Sequence, residues 1–196
     1  MSLAAQHAGH GASVEAEAPE PRKVHVIQGE FFVTEAPDVV LTTILGSCVA
    51  ACMRDAVAGV GGMNHFLLPG DDDRQTEGGR RYGVQAMELL VNGLLRRGAR
   101  RDRLEAKLFG GGRLIDGLTD VGDQNAAFAE KFLRDEGIQY LGGSLRGDQA
   151  RRVQFWPVSG RARQICLARN DAAVFAVERQ RRPAPPVDTG GALELF

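Results

Sequence analysis

Apolar and polar residues alternate along "KVHVIQGEFFVTE", residues 23–35, where Val, Ile and Phe suit a pleated, half-buried surface. The pattern predicts strands on either side of a Gln28-Gly29 turn. "DVVLTTIL" is β-branched and apolar and predicts another strand. "VAACMRDA" fits a strand or a short helix equally well. "VGGMNHFLL" predicts a strand that begins at a pair of glycines. The period then changes. "RRYGVQAMELLVNGLLRRGA" puts Tyr82, Ala86, Leu89, Leu90 and Leu94 at helical spacing, with Arg96 and Arg97 near the end and Gly98 as the stop. "RLEAKLFGGG" predicts a strand running into a glycine loop. "DQNAAFAEKFLRDEG" sets Phe128, Phe132 and Leu133 on one helical face, and Gly137 follows it. "IQYLGG", "RVQFWPV" and "RARQICLA" predict strands, the last two joined at Ser159-Gly160 as a hairpin.

Many strands and two clear helices predict an α/β fold, a layered sandwich of a mixed β-sheet and helices. Residues 1–22 are small, polar and acidic without periodicity, and are expected to form a disordered tail. His7 and His10 fall there. The ordered domain is expected over 23–178. A Pro- and Gly-rich second tail is expected over 179–196, ending in "LELF".

Composition narrows the function classes. The chain has 196 residues, 43% of them hydrophobic, enough for one domain with a real core. Its formal net charge of −1 gives no basic field for nucleic acid. No run of apolar residues is long enough to insert in a membrane, and the N-terminal stretch lacks an apolar signal core. A cytoplasmic location is therefore expected. Three cysteines in a chain of this size do not read as a disulfide framework.

Chemistry concentrates in "LGSCVAACMRDAVAGVGGMNHFLLP", residues 45–69, which holds Cys48, Cys52 and His65. Three readings compete for them. Free cysteine is commonly a small buried hydrophobe, and Cys52 and Cys166 suit that role. Cys48, Cys52 and His65 also resemble the opening of a zinc finger. The fourth ligand of a closed structural site is missing after His65, so no metal is expected. In the third reading Cys48 is a nucleophile. It follows Gly46 and Ser47 at the end of a predicted strand, where a small-residue turn exposes the thiol and offers backbone N–H groups to an oxyanion. His65 follows Gly61 and Gly62 on a separate strand and would take the thiol proton. Spacing alone does not choose among the three.

"LGSCVAACMRD" followed by "VGGMNHFLLP" resembles the signature of the CheD family of bacterial chemoreceptor glutamine deamidases. The similarity runs over roughly residues 24–167, taking in "GEFFV", the "FGGG" loop at 109–112 and the "RRVQFWPVSGRA" hairpin. The family often opens its second helix with an Arg-Asn pair; here the pair is Gln124-Asn125. The resemblance implies a fold like the cysteine deamidase domains of bacterial toxins. It implies a hydrolase that converts particular receptor glutamines to glutamate through a Cys thioester, a protein-glutamine glutaminase with no cofactor. A glutamate methyl ester would pass through the same intermediate. The implied triad is Cys48, His65 and a threonine six residues before the cysteine, which is Thr42. Thr43 is adjacent, and a regular strand turns only one of the two hydroxyls toward the site. The implied partners are the cytoplasmic domains of methyl-accepting chemoreceptors and a CheC-type phosphatase, with the chain itself a monomer. A non-catalytic adaptor and a cysteine protease are the rival classes.

Overall fold

The structure is a computed structural model and describes residues 20–68, 77–113 and 121–167. Most of the N-terminal tail and all of the C-terminal tail expected from composition lie outside these residues, as do His7 and His10. The elements in chain order are β1 (Arg22–His25), β2 (Phe31–Thr34), β3 (Val39–Leu45), β4 (Val49–Asp55), β5 (Val60–Asn64), α1 (Glu77–Leu95), β6 (Leu104–Gly110), α2 (Val121–Asp135), β7 (Gln139–Leu145), β8 (Arg151–Trp156) and β9 (Arg161–Cys166).

The strands form two mixed sheets. One has four strands in the order β1-β3-β8-β9, the other five in the order β2-β5-β4-β6-β7. β1 runs parallel to β3 and β6 parallel to β7, while the other pairs are antiparallel. The layered α/β sandwich expected from the pattern is the architecture, with its sheet layer doubled. β1 and β2 flank the Gln28-Gly29 turn as the alternation predicts. They do not pair with each other: each joins a different sheet.

Burial explains the stacking. β4 sits in the middle of the five-stranded sheet and is buried on both faces. Its Val49, Ala51 and Met53 enter one core with Met87, Leu90, Val91 and Leu94 of α1 and Ala129, Phe132 and Leu133 of α2. Its Ala50 and Cys52 enter a second core with Val39, Leu41 and Leu45 of β3 and Val153 and Phe155 of β8. The order of layers is therefore sheet, sheet, helices. Each fully buried Leu contributes roughly 1.5–3 kcal/mol. Residues 61 and 62 must be glycine for this packing. A Cβ on Gly61 would lie 2.3 Å from the Pro157 carbonyl oxygen, and one on Gly62 would lie 2.6 Å from that of Phe32.

The α1 face differs from its expected form. Tyr82 and Leu89 are exposed, and the buried stripe runs through Met87, Leu90, Val91 and Leu94. Cys166 also differs. It is exposed on β9, an outer strand of its sheet, rather than buried as the flanking Ile165 and Leu167 suggested.

Asp55, at the end of β4, is fully buried. Burial would raise its carboxyl, but N–H groups of Ala58, Arg100 and Val57 and the Arg103 guanidinium donate to it and hold it at about 2. A buried carboxylate survives only with such partners.

Candidate active site at the seam between the sheets

The chain crosses from one sheet to the other at Gly46-Ser47-Cys48, between the end of β3 and the start of β4. Cys48 is 5% exposed and belongs to the core between the sheets. His65 lies one residue past β5 and is 2% exposed. Val49, the first residue of β4, and Phe66, two residues past β5, exchange both backbone hydrogen bonds, at 3.0 and 2.9 Å. Val49 and Phe66 face the helices. Side chains alternate along strands, so their neighbours Cys48 and His65 take the opposite face, toward the first sheet. They are diagonal neighbours there, a relation in which backbones lie about 7–8 Å apart and side chains reach one another.

Thr43 meets His65 from the facing sheet. Its Oγ1 lies 2.9 Å from His65 Nδ1 and donates to the Val26 carbonyl at 2.7 Å. That carbonyl is also 3.4 Å from Nδ1. These contacts assign the tautomer. The hydroxyl has spent its single proton on Val26, so its oxygen accepts from Nδ1–H. The carbonyl can only accept as well. Nδ1 therefore carries the proton, and the lone pair of the neutral ring sits on Nε2. Burial lowers the His65 pKa from 6.5 to about 4, with the Val26 carbonyl opposing weakly. The ring is neutral at pH 7 and its Nε2 is a base.

The expected position of the threonine moves by one residue. Thr43, not Thr42, reaches His65. Leu41 and Leu45 point into the core between the sheets, so position 43 points there too. Thr42 is buried on the other face of β3 and pairs in register with His25 and Gln154.

The Gly46–Cys48 turn is held by its carbonyls. Gly46 accepts from Gly112 N–H at 2.8 Å, Cys48 from Gly111 N–H at 2.7 Å, and Ser47 from Asn125 Nδ2 at 2.9 Å. In a trans peptide the N–H points opposite to the C=O. The N–H groups of Ser47 and Cys48 are thereby turned away from the Gly111-Gly112 loop and from Asn125. The three glycines of the "FGGG" loop fit against the turn because they lack side chains. A Cβ on Gly110, at φ +106°, would lie 2.1 Å from the Cys48 carbonyl oxygen.

Asn125, named in the sequence only as half of the Gln124-Asn125 pair, has a structural role that the sequence did not assign. It is fully buried on α2. Its Nδ2 donates to Ser47 and its Oδ1 accepts from Leu68 N–H at 2.9 Å, tying the cysteine turn to the histidine segment. The available signal was a lone amide on the apolar stripe formed by Ala126, Ala129, Phe132 and Leu133. Cys52 shares the face of Cys48 but is sealed, and burial pushes its thiol far up despite the nearby Lys107. It has the character of an inert core thiol. No helix among the described residues is long and apolar enough to cross a membrane.

Comparison with known proteins shows the family. Residues 67–164 match the family model described as CheD chemotactic sensory transduction. A protein of Caulobacter sp. (strain K31) is 60% identical over 89% of this chain and 93% of its own length. One of Rhizobium leguminosarum bv. trifolii is 58% identical over 89% of this chain and 96% of its own. One of Acidiphilium cryptum is 58% identical over 93% and 98%. All three bear the name probable chemoreceptor glutamine deamidase CheD. At that identity and over nearly the whole length of both partners, the chain belongs to the CheD family.

Proposed function

We propose that this protein hydrolyses the side-chain amide of glutamines in chemoreceptor cytoplasmic domains, releasing ammonia and leaving glutamate. The observation that carries the reading is a neutral, oriented imidazole. His65 is held through Nδ1 by Thr43 and Val26, and strand alternation from the paired Val49 and Phe66 puts it on the same sheet face as Cys48.

The arrangement supports the following steps. His65 Nε2 takes the thiol proton of Cys48, and the sulfur attacks the amide carbon. The oxyanion is met by the N–H groups of Ser47 and Cys48, which the anchored carbonyls turn away from the glycine loop. Removing one such donor typically costs about 3 kcal/mol in the barrier. The imidazolium protonates the departing ammonia. Water, deprotonated by His65, opens the thioester. Thr43 keeps the proton on Nδ1 throughout and so keeps Nε2 on the reacting side. The substrate lies on the cytoplasmic part of the receptor, which sets the place of action.

The test is mass spectrometry of a receptor cytoplasmic fragment after incubation with the protein. The expected result is the mass increment of amide-to-acid conversion on glutamine residues, absent with Cys48→Ala. Chain cleavage would make the protein a protease. Binding without conversion would make it an adaptor. Either result overturns the proposal.

A further inference from the structure

Gln28 of this chain ends against the nucleophile. Its Oε1 lies 3.5 Å from Cys48 Sγ, within reach of a thiol donor. The contact is not a loose surface encounter. Glu30 N–H closes the turn onto the Ile27 carbonyl at 3.0 Å, with Gly29 at φ +87°. The turn is then fastened to the base: Gly29 N–H donates to the His65 carbonyl at 2.7 Å and His65 N–H to the Glu30 carbonyl at 3.0 Å. The preceding Val26 supplies the carbonyl beside Nδ1. One short segment thus wraps the histidine and presses a primary carboxamide on the sulfur.

A thiol that attacks glutamine needs room for a primary carboxamide beside Sγ. We propose that the place taken by the Gln28 carboxamide is the substrate-carboxamide subsite, and that Gln28 holds it in the resting enzyme as an internal competitor. The inference rests on the deamidase reading above and adds the location and chemical class of the subsite. A substrate glutamine displaces Gln28 and brings the same group to the same sulfur. In the resting enzyme the S–H donates to Oε1, a bond that favours the protonated, less nucleophilic sulfur. A change of the Gln28 χ1 or χ2 torsion from one staggered rotamer to another carries the carboxamide off the sulfur.

The experiment uses the full chain with Gln28→Ala and Gln28→Asn. Asn suits a turn and keeps an amide, but it is one methylene too short to reach Sγ. Alkylation of Cys48 by iodoacetamide, mapped by mass spectrometry, should quicken about tenfold in both variants, the factor for a subsite open about a tenth of the time. KM for the receptor fragment should fall in parallel. In Gln28→Ala, propionamide should protect Cys48 from alkylation and propionate should not. Unchanged or slower alkylation in both variants overturns the proposal, as does equal protection by the two small molecules. A wild-type protein that converts no receptor glutamine would sink the deamidase reading instead, while the alkylation and protection arms still report on the subsite.

Discussion

The two cores on either side of β4 share a backbone and differ in kind. The helix-side core packs apolar side chains from Val49 and Phe66 to Leu90 and Phe132, and the two amides buried beside it, Asn64 and Asn125, bond to backbone groups. The core between the sheets contains Cys48 and is bordered by Thr43 and His65. One layer insulates and stabilises, while the other uses the same exclusion of water to hold an imidazole neutral. Cys48 and Cys52 make the contrast within one face. Four residues apart, one sits at the turn where the chain changes sheets, and the other is in the middle of a strand.

The strongest way to break the comparison is at the two thiols. Cys48→Ala should lower receptor deamidation at least about 10⁴-fold, as loss of a hydrolase nucleophile does, with little change in melting temperature. Cys52→Ala should keep activity near wild type. A dead but folded Cys52→Ala beside an active Cys48→Ala would reverse the assignment.

The next test is on the insulating side. Leu90→Ala should cost about 2–5 kcal/mol in urea denaturation through lost transfer energy and a cavity. Its kcat/KM, measured where the protein is still folded, should stay close to wild type. A deep loss of rate without loss of stability would show that the helix-side core does more than support.

Thr43→Val sharpens the catalytic side. Valine keeps the β-branched shape and removes only the hydroxyl that fixes the His65 tautomer. A neutral hydrogen bond is worth about 1 kcal/mol to stability, whereas a misoriented imidazole should cost roughly 10- to 1000-fold in kcat, less than the ~10⁴ seen when a carboxylate partner is lost. Thr43→Ser should retain much of the rate. Thr42→Val, on the opposite face, should be mild. If the two valine variants exchange phenotypes, the orienting threonine is the outer one.

The last test is the dependence of stability on pH. The folded pKa of His65, about 4, lies below its ordinary 6.5, so between those values the unfolded chain binds a proton that the native one refuses. Stability is full above about pH 6.5 and falls by up to about 3 kcal/mol as pH drops to about 4. Asp55, held at about 2, adds a further loss only below its ordinary 3.8. His65→Gln should flatten denaturant midpoints across the first window and leave the second. The acid limb of kcat/KM should lie nearer 4 than 6.5. A wild-type midpoint that stays constant from pH 7 to 4.5 would argue against a buried neutral ring.

Much of this was legible in the chain. Alternation and β-branching marked β1, β2 and β3, Gly98 and Gly137 marked the helix ends, and the small residues before Cys48 marked a turn. The orienting threonine was not, for a physical reason. In "VVLTTIL" Val39, Val40 and Leu41 are all buried, so neither parity stands out and the inward face has no sequence signature. Doubling of the sheet layer was hidden because a short connection such as Gln28-Gly29 looks the same whether it closes a hairpin or crosses between sheets. Cys166 was misread because flanking apolar residues do not distinguish an outer strand from an inner one. The role of Asn125 was hidden because the groups it satisfies, Ser47 and Leu68, are distant in sequence.

That asparagine has a mechanical consequence. One rigid amide grips the cysteine turn with its nitrogen and the histidine segment with its oxygen, each at a single hydrogen-bond length. Helix α2 is thus the common datum from which both segments are measured. A small shift of the helix carries the two together rather than apart, as a common-mode displacement that cancels in their difference. The gap between sulfur and imidazole is in this way decoupled from the breathing of the helical layer above it.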